Sequence, residues 1–239
     1  MTGLIYQTNS FLREFTARVV AVDTQNRSVA LEKTVFYPGG GGQPCDIGQF
    51  TQGMKEFPVI RVKKEAGVVW HFLGESSDLP EENNLIEGAI DWDRRYALMK
   101  THTALHILCG VVYRDFGALV TGGDMDPLKG RMDFEFESLT KDLVGSIEKA
   151  VNIEVEKARP IRVAILPREE AMKIPDLIRT KINLLPPGIA EIRTVELVGL
   201  DLQADGGTHV NNTAEVGYIR VVDYKSKGKI NKRIYIELS

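Results

Sequence analysis

The first 90 residues contain short stretches of β-branched and aromatic residues separated by turn-forming residues, a pattern typical of β-strands. Strands are predicted at residues 17–22, 28–32, 59–62 and 68–72. Between the second and third of these strands, the segment FYPGGGGQP (residues 36–44) holds four glycines between two prolines, so we predict a loop there. Short strands joined by turns predict a small β barrel.

After residue 90, apolar residues recur every three or four positions, which predicts helices. The first helix is expected to follow an Asp93 cap and to bury Leu98, Leu105 and Leu108. A second helix is predicted at residues 143–158. Further strands are predicted at residues 131–136, 161–166, 189–198, 216–222 and 233–238.

Strands and helices that follow one another without regular alternation predict the α+β class. The expected architecture is a small N-terminal β barrel at residues 1–90, followed by an α/β domain at residues 91–239. In the second domain, helices are expected to cover one face of a mostly antiparallel sheet. A chain of 239 residues is long enough for two such domains.

Composition and charge narrow the class of protein. A formal net charge of −3 argues against a protein that coats nucleic acid, because such binding neutralises many phosphates. Two cysteines, Cys45 and Cys109, are too few for a disulfide framework and are expected to be reduced thiols. The first 15 residues lack the features of a secretory signal, and no apolar run is long enough to span a membrane. We therefore expect a cytoplasmic protein.

Three of the four histidines fall in two pairs with metal-ligand spacing. His102 and His106 stand four residues apart in the first predicted helix, so their imidazoles are expected on one face, about 5 to 6 Å apart. Asp205 and His209 flank a Gly-Gly pair, which permits a tight loop that brings their side chains together. For an isolated histidine pair, hydrogen-bonded histidines on a half-buried helix face are an equally good interpretation.

The sequence excludes two common motifs, because residues that each motif requires are missing. Zinc proteases of the HExxH type need a glutamate directly after the first histidine, and Thr103 occupies that place. The glycines at residues 39–42 lack the following Lys-Ser or Lys-Thr of a Walker loop, so nucleoside triphosphate binding is not expected. A wide turn of the barrel is the plain interpretation of this glycine run.

Four segments, taken together, resemble the editing domains of alanyl-tRNA synthetase and their freestanding relatives of the AlaX type. Residues 102–106 (HTALH) are similar to the HTAxH segment of that family, and residues 205–210 (DGGTHV) to its CGGTHV segment. Residues 34–43 (TVFYPGGGGQ) resemble the glycine-rich motif of the longer members, and residues 131–134 (RMDF) are similar to a family strand. The segments occur in the order found in the family.

The resemblance implies a zinc-dependent hydrolase that cleaves the ester between alanine tRNA and a wrongly attached serine or glycine. It also implies that His102, His106 and His209 bind the zinc ion. The family usually has cysteine where this chain has Asp205, and a carboxylate is a harder, weaker zinc ligand than a thiolate. Asp205 is therefore expected to be a weak fourth ligand, a partner of a water in the fourth position, or a general base.

The resemblance implies further site residues. The glycine-rich loop is expected to fold over the mouth of the site, with Gln43 and Asp46 at its border. Thr121 is expected to read the serine hydroxyl, and a solvent-facing turn is the alternative for this residue. The basic residues nearest the motifs are candidates for contacts with tRNA phosphates or, equally, members of a solvated surface: Arg94, Arg95, Lys100, Lys129 and Arg131.

Two other functions remain open. A binding module for tRNA or another RNA would hold zinc in a closed, structural site with four ligands, whereas an enzyme would keep an open position. Editing of another tRNA, such as threonine tRNA, is the second alternative, because threonyl systems use a related pair of motifs. The glycine-rich motif favours alanine tRNA. A chain too short for a whole synthetase is expected to act in trans, and its oligomeric state is left open.

Overall fold

A computed structural model describes residues 1–75, 78–181, 185 and 188–239. The chain divides into two compact units, Met1–Tyr96 and Ala97–Ser239, and the division falls within the first α-helix. No helix in this described part of the chain is long and apolar enough to cross a membrane.

The first unit is built on a closed antiparallel barrel. Its strands are β1 (Gly3–Leu4), β2 (Glu14–Asp23), β3 (Ser28–Leu31), β4 (Lys33–Thr34), β5 (Gly48–Gln52), β6 (Lys55–Glu65), β7 (Val68–Leu73) and β8 (Leu85–Ile90). The barrel has the strand order β2-β3-β7-β6-β5-β8, and β1 pairs with β4 in parallel. Alternation directs Phe57 and Val59 of β6 into the barrel core, and an irregularity between Val59 and Arg61 shifts the register so that Val62 is buried as well.

The glycine-rich loop contains a tight turn. Gly40 and Gln43 exchange two backbone hydrogen bonds, of 3.0 and 2.9 Å, with Gly41 and Gly42 at the central positions. These two glycines have φ angles of 58° and 86°, and two positive φ angles at the centre of a turn are typical of type I′. Residues with a Cβ adopt such angles only at a cost, which explains the local need for glycine. The predicted loop is confirmed.

A buried ion pair fixes both sides of this loop. Arg95 and Asp46 are 0% and 1% exposed, and Arg95 Nε donates to the two Asp46 carboxylate oxygens at 2.9 and 3.1 Å. Other guanidinium donors of Arg95 reach the backbone carbonyls of Ser10 at 2.9 Å and Val35 at 2.6 Å. Asp46 also accepts the Tyr37 N–H at 2.6 Å. The pair thus joins three separate segments of the first unit to the start of the long helix.

The second unit contains most of α1 (Trp92–Phe116), two further helices and two antiparallel sheets. The other elements are β9 (Val120–Asp126), β10 (Lys129–Glu135), α2 (Lys141–Glu156), β11 (Ile161–Pro167), α3 (Arg168–Ala171), β12 (Glu191–Leu197), β13 (Asp201–Ala204), β14 (Ile219–Ser226) and β15 (Asn231–Leu238). One sheet has the strand order β14-β15-β10-β9, and the other has the order β11-β12-β13.

Helix α1 begins two residues earlier than the cap at Asp93 requires. Asp91 Oδ1 accepts the Arg94 N–H at 3.0 Å, the bond that an N-cap side chain makes three residues into a helix. The predicted Asp93 cap is therefore wrong. Asp93 lies in the first turn, where a negative charge faces the positive end of the helix dipole.

The centre of α1 is enclosed by protein. Residues 101–112 are all buried, so the helix is the middle of its unit and carries no wide polar face. Strand β10 approaches the helix at Gly130, where a Cβ would lie 3.1 Å from Leu105 and 3.3 Å from Thr101. The histidines of α1 are consequently held in an interior site.

The predicted α+β class is confirmed, with an N-terminal barrel and antiparallel sheets. Six strands are not apparent from the local pattern: β1, β4, β5, β8, β9 and β13. Strand β9 (VTGGDMD) is rich in glycine and aspartate, residues that are depleted in strands. It is a strand because β10 supplies a partner ladder along its length. Pairing between distant segments therefore outweighs local propensity at these positions.

Candidate metal centre

His102 and His106 lie one turn apart on α1, as the helical period predicts. Their ring centroids are 5.1 Å apart, and each residue is 5% exposed. Because the helix holds both imidazoles in the interior, neither ring is a solvated surface group. The pair forms one side of a cluster.

The loop after β13 supplies the other side. Asp205 Oδ2 accepts the Gly207 N–H at 2.8 Å, and this local bond folds the loop back on itself. The same oxygen lies 3.0 Å from His209 Nε2. The His209 ring centroid is 4.4 Å from that of His102 and 4.7 Å from that of His106. The two pairs seen in the sequence therefore form a single cluster.

This buried group could hold a metal ion. One potential ligand atom from each of His102, His106, Asp205 and His209 lies within 4.8 Å of all the others. Zinc bonds of about 2.0 to 2.1 Å in a tetrahedral arrangement place the ligand atoms roughly 3.4 Å apart. The four ligand atoms would therefore have to draw closer together around a zinc ion.

Hydrogen bonds behind the histidines orient their rings. His106 Nδ1 donates to Asp201 Oδ2 at 3.1 Å, which leaves the Nε2 lone pair for the cluster. Thr103 Oγ1 and His209 Nδ1 are hydrogen-bonded at 3.2 Å, and His209 Nε2 faces Asp205. Partners of this kind fix the ring orientation of metal-binding histidines and increase their basicity.

The pKa values of the three histidines and of Asp205 bear on whether the cluster can bind a metal ion. Burial lowers the pKa of His209 to about 4 and holds the pKa of His102 well below its ordinary value. Burial also opposes the charged form of His106, but the hydrogen bond to Asp201 outweighs this effect and raises the His106 pKa. Asp205 is desolvated as well, yet His102 and His209 keep its pKa well below the ordinary value. The low pKa values favour neutral His102 and His209 and an ionised Asp205, the forms that bind a metal, whereas the raised pKa of His106 favours a proton that a bound metal would displace.

The two oxygens of Asp205 differ in their surroundings. Oδ2 contacts Gly207 N and His209 Nε2, and Arg193 Nη1 lies 3.6 Å away. Oδ1 lies 3.5 Å from His102 Nε2. Since Oδ2 already has these partners, Oδ1 is the oxygen better placed to ligate a metal or to take up a proton.

Sequence reasoning missed Asp201, which is 4% exposed and lies directly behind His106. Gln203 Nε2 donates to Asp201 at 2.6 Å, and Arg179 Nε donates to it at 3.4 Å. The sequence feature that could have drawn attention to Asp201 is its position between Leu200 and Leu202, as an acidic residue in an apolar segment. Its partner on α1 is 95 residues away in sequence, so spacing alone gives no indication of the contact.

Two predicted site residues lie outside the cluster. Thr121 is exposed on β9, and its hydroxyl donates to Asn231 Oδ1 at 2.9 Å, so the residue lies in a strand and not in a turn. Gln43 belongs to the first unit, where it is 2% exposed and closes the glycine turn with its backbone. Their roles in the site stay predictions.

Arg95 fits neither interpretation offered for the basic residues, a contact with tRNA phosphates or a solvated surface. Arg95 is fully buried, and its guanidinium is occupied by Asp46 and by backbone carbonyls. A phosphate cannot reach it without opening the first unit. Lys129 and Arg131 are nearer the surface, where they pair with Glu237 and Asp124 at 3.1 and 3.4 Å.

Comparison with known proteins identifies the family. Residues 5–94 match the model described as tRNA synthetases class II (A), and residues 192–235 match that of the threonyl and alanyl tRNA synthetase second additional domain. The alanyl-tRNA editing protein AlaX-M of Saccharolobus solfataricus is 40% identical over 237 residues, which cover 98% of each chain. The protein of the same name from Methanosarcina barkeri is 35% identical over 100% of this chain and 99% of its own. This chain belongs to the alanyl-tRNA editing protein family.

Similarity also extends to a larger enzyme. The alanine–tRNA ligase of Ignicoccus hospitalis is 35% identical over 92% of this chain, but the match covers only 24% of the ligase. The AlaX-M proteins are instead matched over nearly their whole length. The prediction of a freestanding AlaX-type editing protein is confirmed, and with it the predicted enzyme class, an aminoacyl-tRNA deacylase.

Proposed function

We propose that this protein acts in trans on alanine tRNA that carries serine or glycine, and hydrolyses the ester at a zinc site. The observation that carries the proposal is the buried cluster of three histidines and one carboxylate in a member of the alanyl-tRNA editing protein family. The curated relatives are named for the editing of alanyl-tRNA, which supports tRNA as the partner. A cytoplasmic location remains a prediction from the sequence.

Zinc fits the donors that the site offers. Three imidazoles are a common ligand set of catalytic zinc, and the Nδ1 atoms of His106 and His209 are hydrogen-bonded to Asp201 and Thr103, which leaves their Nε2 atoms for the ion. When bound, zinc would supply Lewis-acid catalysis at the ester carbonyl or activate the attacking water. His102 completes the set from the helix face that it shares with His106.

Asp205 has two proposed roles, as a weak fourth ligand and as a proton acceptor. Its low pKa keeps the carboxylate ionised at neutral pH, which suits ligation and makes it a weak base; if it is not a ligand, it can accept a hydrogen bond from the attacking water and a proton as the water reacts. In the reaction, the water oxygen adds to the ester carbonyl carbon, the bond to the ribose oxygen breaks, and that oxygen takes up a proton. The ribose hydroxyl of the substrate is an alternative base.

Discrimination between serine and alanine requires a group that recognises the serine hydroxyl. A buried polar group that pairs with this hydroxyl is left unsatisfied by alanine, which costs roughly 1 to 3 kcal/mol. We propose Thr121 for this role on the resemblance to the family alone. Its hydroxyl is exposed and donates to Asn231 at 2.9 Å, so the full penalty would apply only once the bound tRNA covers this residue. Gln43 is proposed, by resemblance to the longer members of the family, to border the site.

Removal of the metal is expected to abolish hydrolysis reversibly. Treatment with a strong chelator should take away both the zinc and the release of serine from serine-charged alanine tRNA, because the reaction depends on the metal. Addition of one equivalent of zinc should restore release. Metal content is measured by mass spectrometry and release by loss of labelled serine from tRNA.

Magnesium added after chelation is the control, because imidazole ligands favour zinc over this hard cation. Full hydrolysis by protein shown to be free of metal would contradict the zinc proposal. Bound zinc without hydrolysis of any charged tRNA would favour the RNA-binding module with a structural metal. Hydrolysis confined to threonine tRNA would indicate a different substrate for the same site.

A further inference from the structure

The turn between β14 and β15 concentrates positive charge in a chain whose net charge is −3. Residues 224–233, here named the basic hairpin, contain four lysines, one arginine and no acidic residue. Residues 222–230 are all exposed. The hairpin lies at the edge of its sheet, since β14 is an outermost strand. Such a concentration of charge is typical of a surface that binds an anionic partner.

Three of the five cations hold the hairpin in shape. Lys232 is 6% exposed, and its ammonium group donates to the carbonyls of Gly228 and Lys229 at 2.8 Å each. Lys225 pairs with a neighbouring aspartate at 2.9 Å, and Arg233 donates to a carboxylate of β10 at 2.6 Å. The turn is therefore ordered by its own side chains before any partner binds.

The other two cations face solvent. Within the part of the chain that the structure describes, no ion pair or side-chain hydrogen bond engages Lys227 or Lys229. They stand two residues apart on either side of Gly228, at the tip of the ordered turn. Two unpaired ammonium groups held close together can contact neighbouring phosphates of a nucleic acid backbone.

The position of the hairpin relative to the metal centre follows from strand register. Strand β10 pairs with β15 so that Lys129 faces Glu237 and Glu135 faces Asn231, beside the tip. At the other end of β10, Gly130 packs against Thr101 and Leu105, the residues that precede His102 and His106. At about 3.4 Å per residue, the strand places the tip about 20 Å from that contact.

We propose that the basic hairpin binds phosphates in the acceptor stem of the tRNA, with Lys227 and Lys229 as the contacting residues. This inference rests on the proposed function, in which the charged 3′ end enters the metal centre. A duplex whose end lies in the site has phosphates at a distance of about this size from the ester. The hairpin then anchors the stem without taking part in the chemistry.

The test is direct binding of uncharged alanine tRNA by the full chain, measured by fluorescence anisotropy over a range of salt concentrations. The double variant Lys227→Ala/Lys229→Ala is expected to bind roughly 10-fold more weakly near 0.1 M salt. The slope of log affinity against log salt should fall by about 2, since each lost lysine removes one phosphate contact. The matched control is Lys149→Ala/Lys173→Ala, which removes the same charge from exposed positions of the same unit.

A second measurement separates this inference from the proposed function. With serine-charged tRNA, the hairpin variant should show a KM raised roughly 10-fold and a kcat within about 2-fold of the parent. Unchanged affinity and salt slope in the hairpin variant, or equal loss in the control, would overturn the hairpin proposal while hydrolysis by the parent still stood. Weaker tRNA binding by the variant, with no hydrolysis by the parent, would support the hairpin and reject the proposed function.

Discussion

Replacement of His102 with alanine is expected to remove the bound metal and to lower the rate of serine release by roughly 1,000-fold. Two imidazoles and a weak carboxylate seldom retain zinc, and Lewis-acid stabilisation is worth several kcal/mol, where each 1.36 kcal/mol is tenfold in rate. Metal content and single-turnover hydrolysis are measured on the same preparation. Full hydrolysis by His102→Ala would show that the cluster is not the reaction centre.

The fourth histidine offers a matched control. His71 is buried in the barrel, where it is hydrogen-bonded to Thr34 and to the Val29 carbonyl, outside the metal cluster. His71→Gln should lower stability while zinc content stays near that of the parent. Asp205→Ala should show a graded loss, because three histidines still hold some metal. Unchanged metal with greatly reduced turnover in Asp205→Ala would assign Asp205 to proton transfer and not to ligation.

Arg95→Met is expected to destabilise the first unit by about 3 to 5 kcal/mol, the usual cost of leaving a buried charge without its partner. Asp46 would lose the guanidinium that neutralises it, and the carbonyls of Ser10 and Val35 would lose their donors. Both tryptophans of the chain, Trp70 and Trp92, belong to this unit. Urea unfolding followed by tryptophan fluorescence therefore measures the loss of stability in the first unit itself.

The double variant Asp46→Leu/Arg95→Met distinguishes the contribution of the ion pair to stability from the contribution of side-chain packing. With both charges removed, no carboxylate is left uncompensated, and part of the stability should return. Recovery is expected to be incomplete, since the two backbone carbonyls still lack donors. A loss below about 1 kcal/mol in Arg95→Met would contradict the structural role of this pair.

Each half of the histidine–aspartate cluster can be predicted from the sequence because its geometry is local. His102 and His106 are related by one helical turn, and Asp205 and His209 by a loop of three residues, so each pair is fixed by short-range structure. The contact between the two pairs depends on long-range packing. The expectation that they meet came from the family resemblance and not from residue spacing. The structure supplies that contact.

Other parts of the molecule could not be predicted because their partners are distant in sequence. The buried state of Arg95 depends on Asp46, 49 residues away, and an arginine beside a second arginine reads locally as a surface residue. The contact between Asp201 and His106 could not be predicted for the same reason, because the two residues are 95 positions apart in sequence. Strands β5 and β9 carry glutamine, glycine or aspartate and exist because neighbouring strands pair with them.

The most direct test of the account is hydrolysis of alanine tRNA charged separately with serine, glycine and alanine. Serine should be released faster than alanine by roughly 10- to 100-fold, the discrimination expected of one hydrogen bond to the serine hydroxyl. Thr121→Val should lower serine release toward the alanine rate if Thr121 makes that bond. Release of serine and alanine at equal rates, or release of neither, would contradict the account.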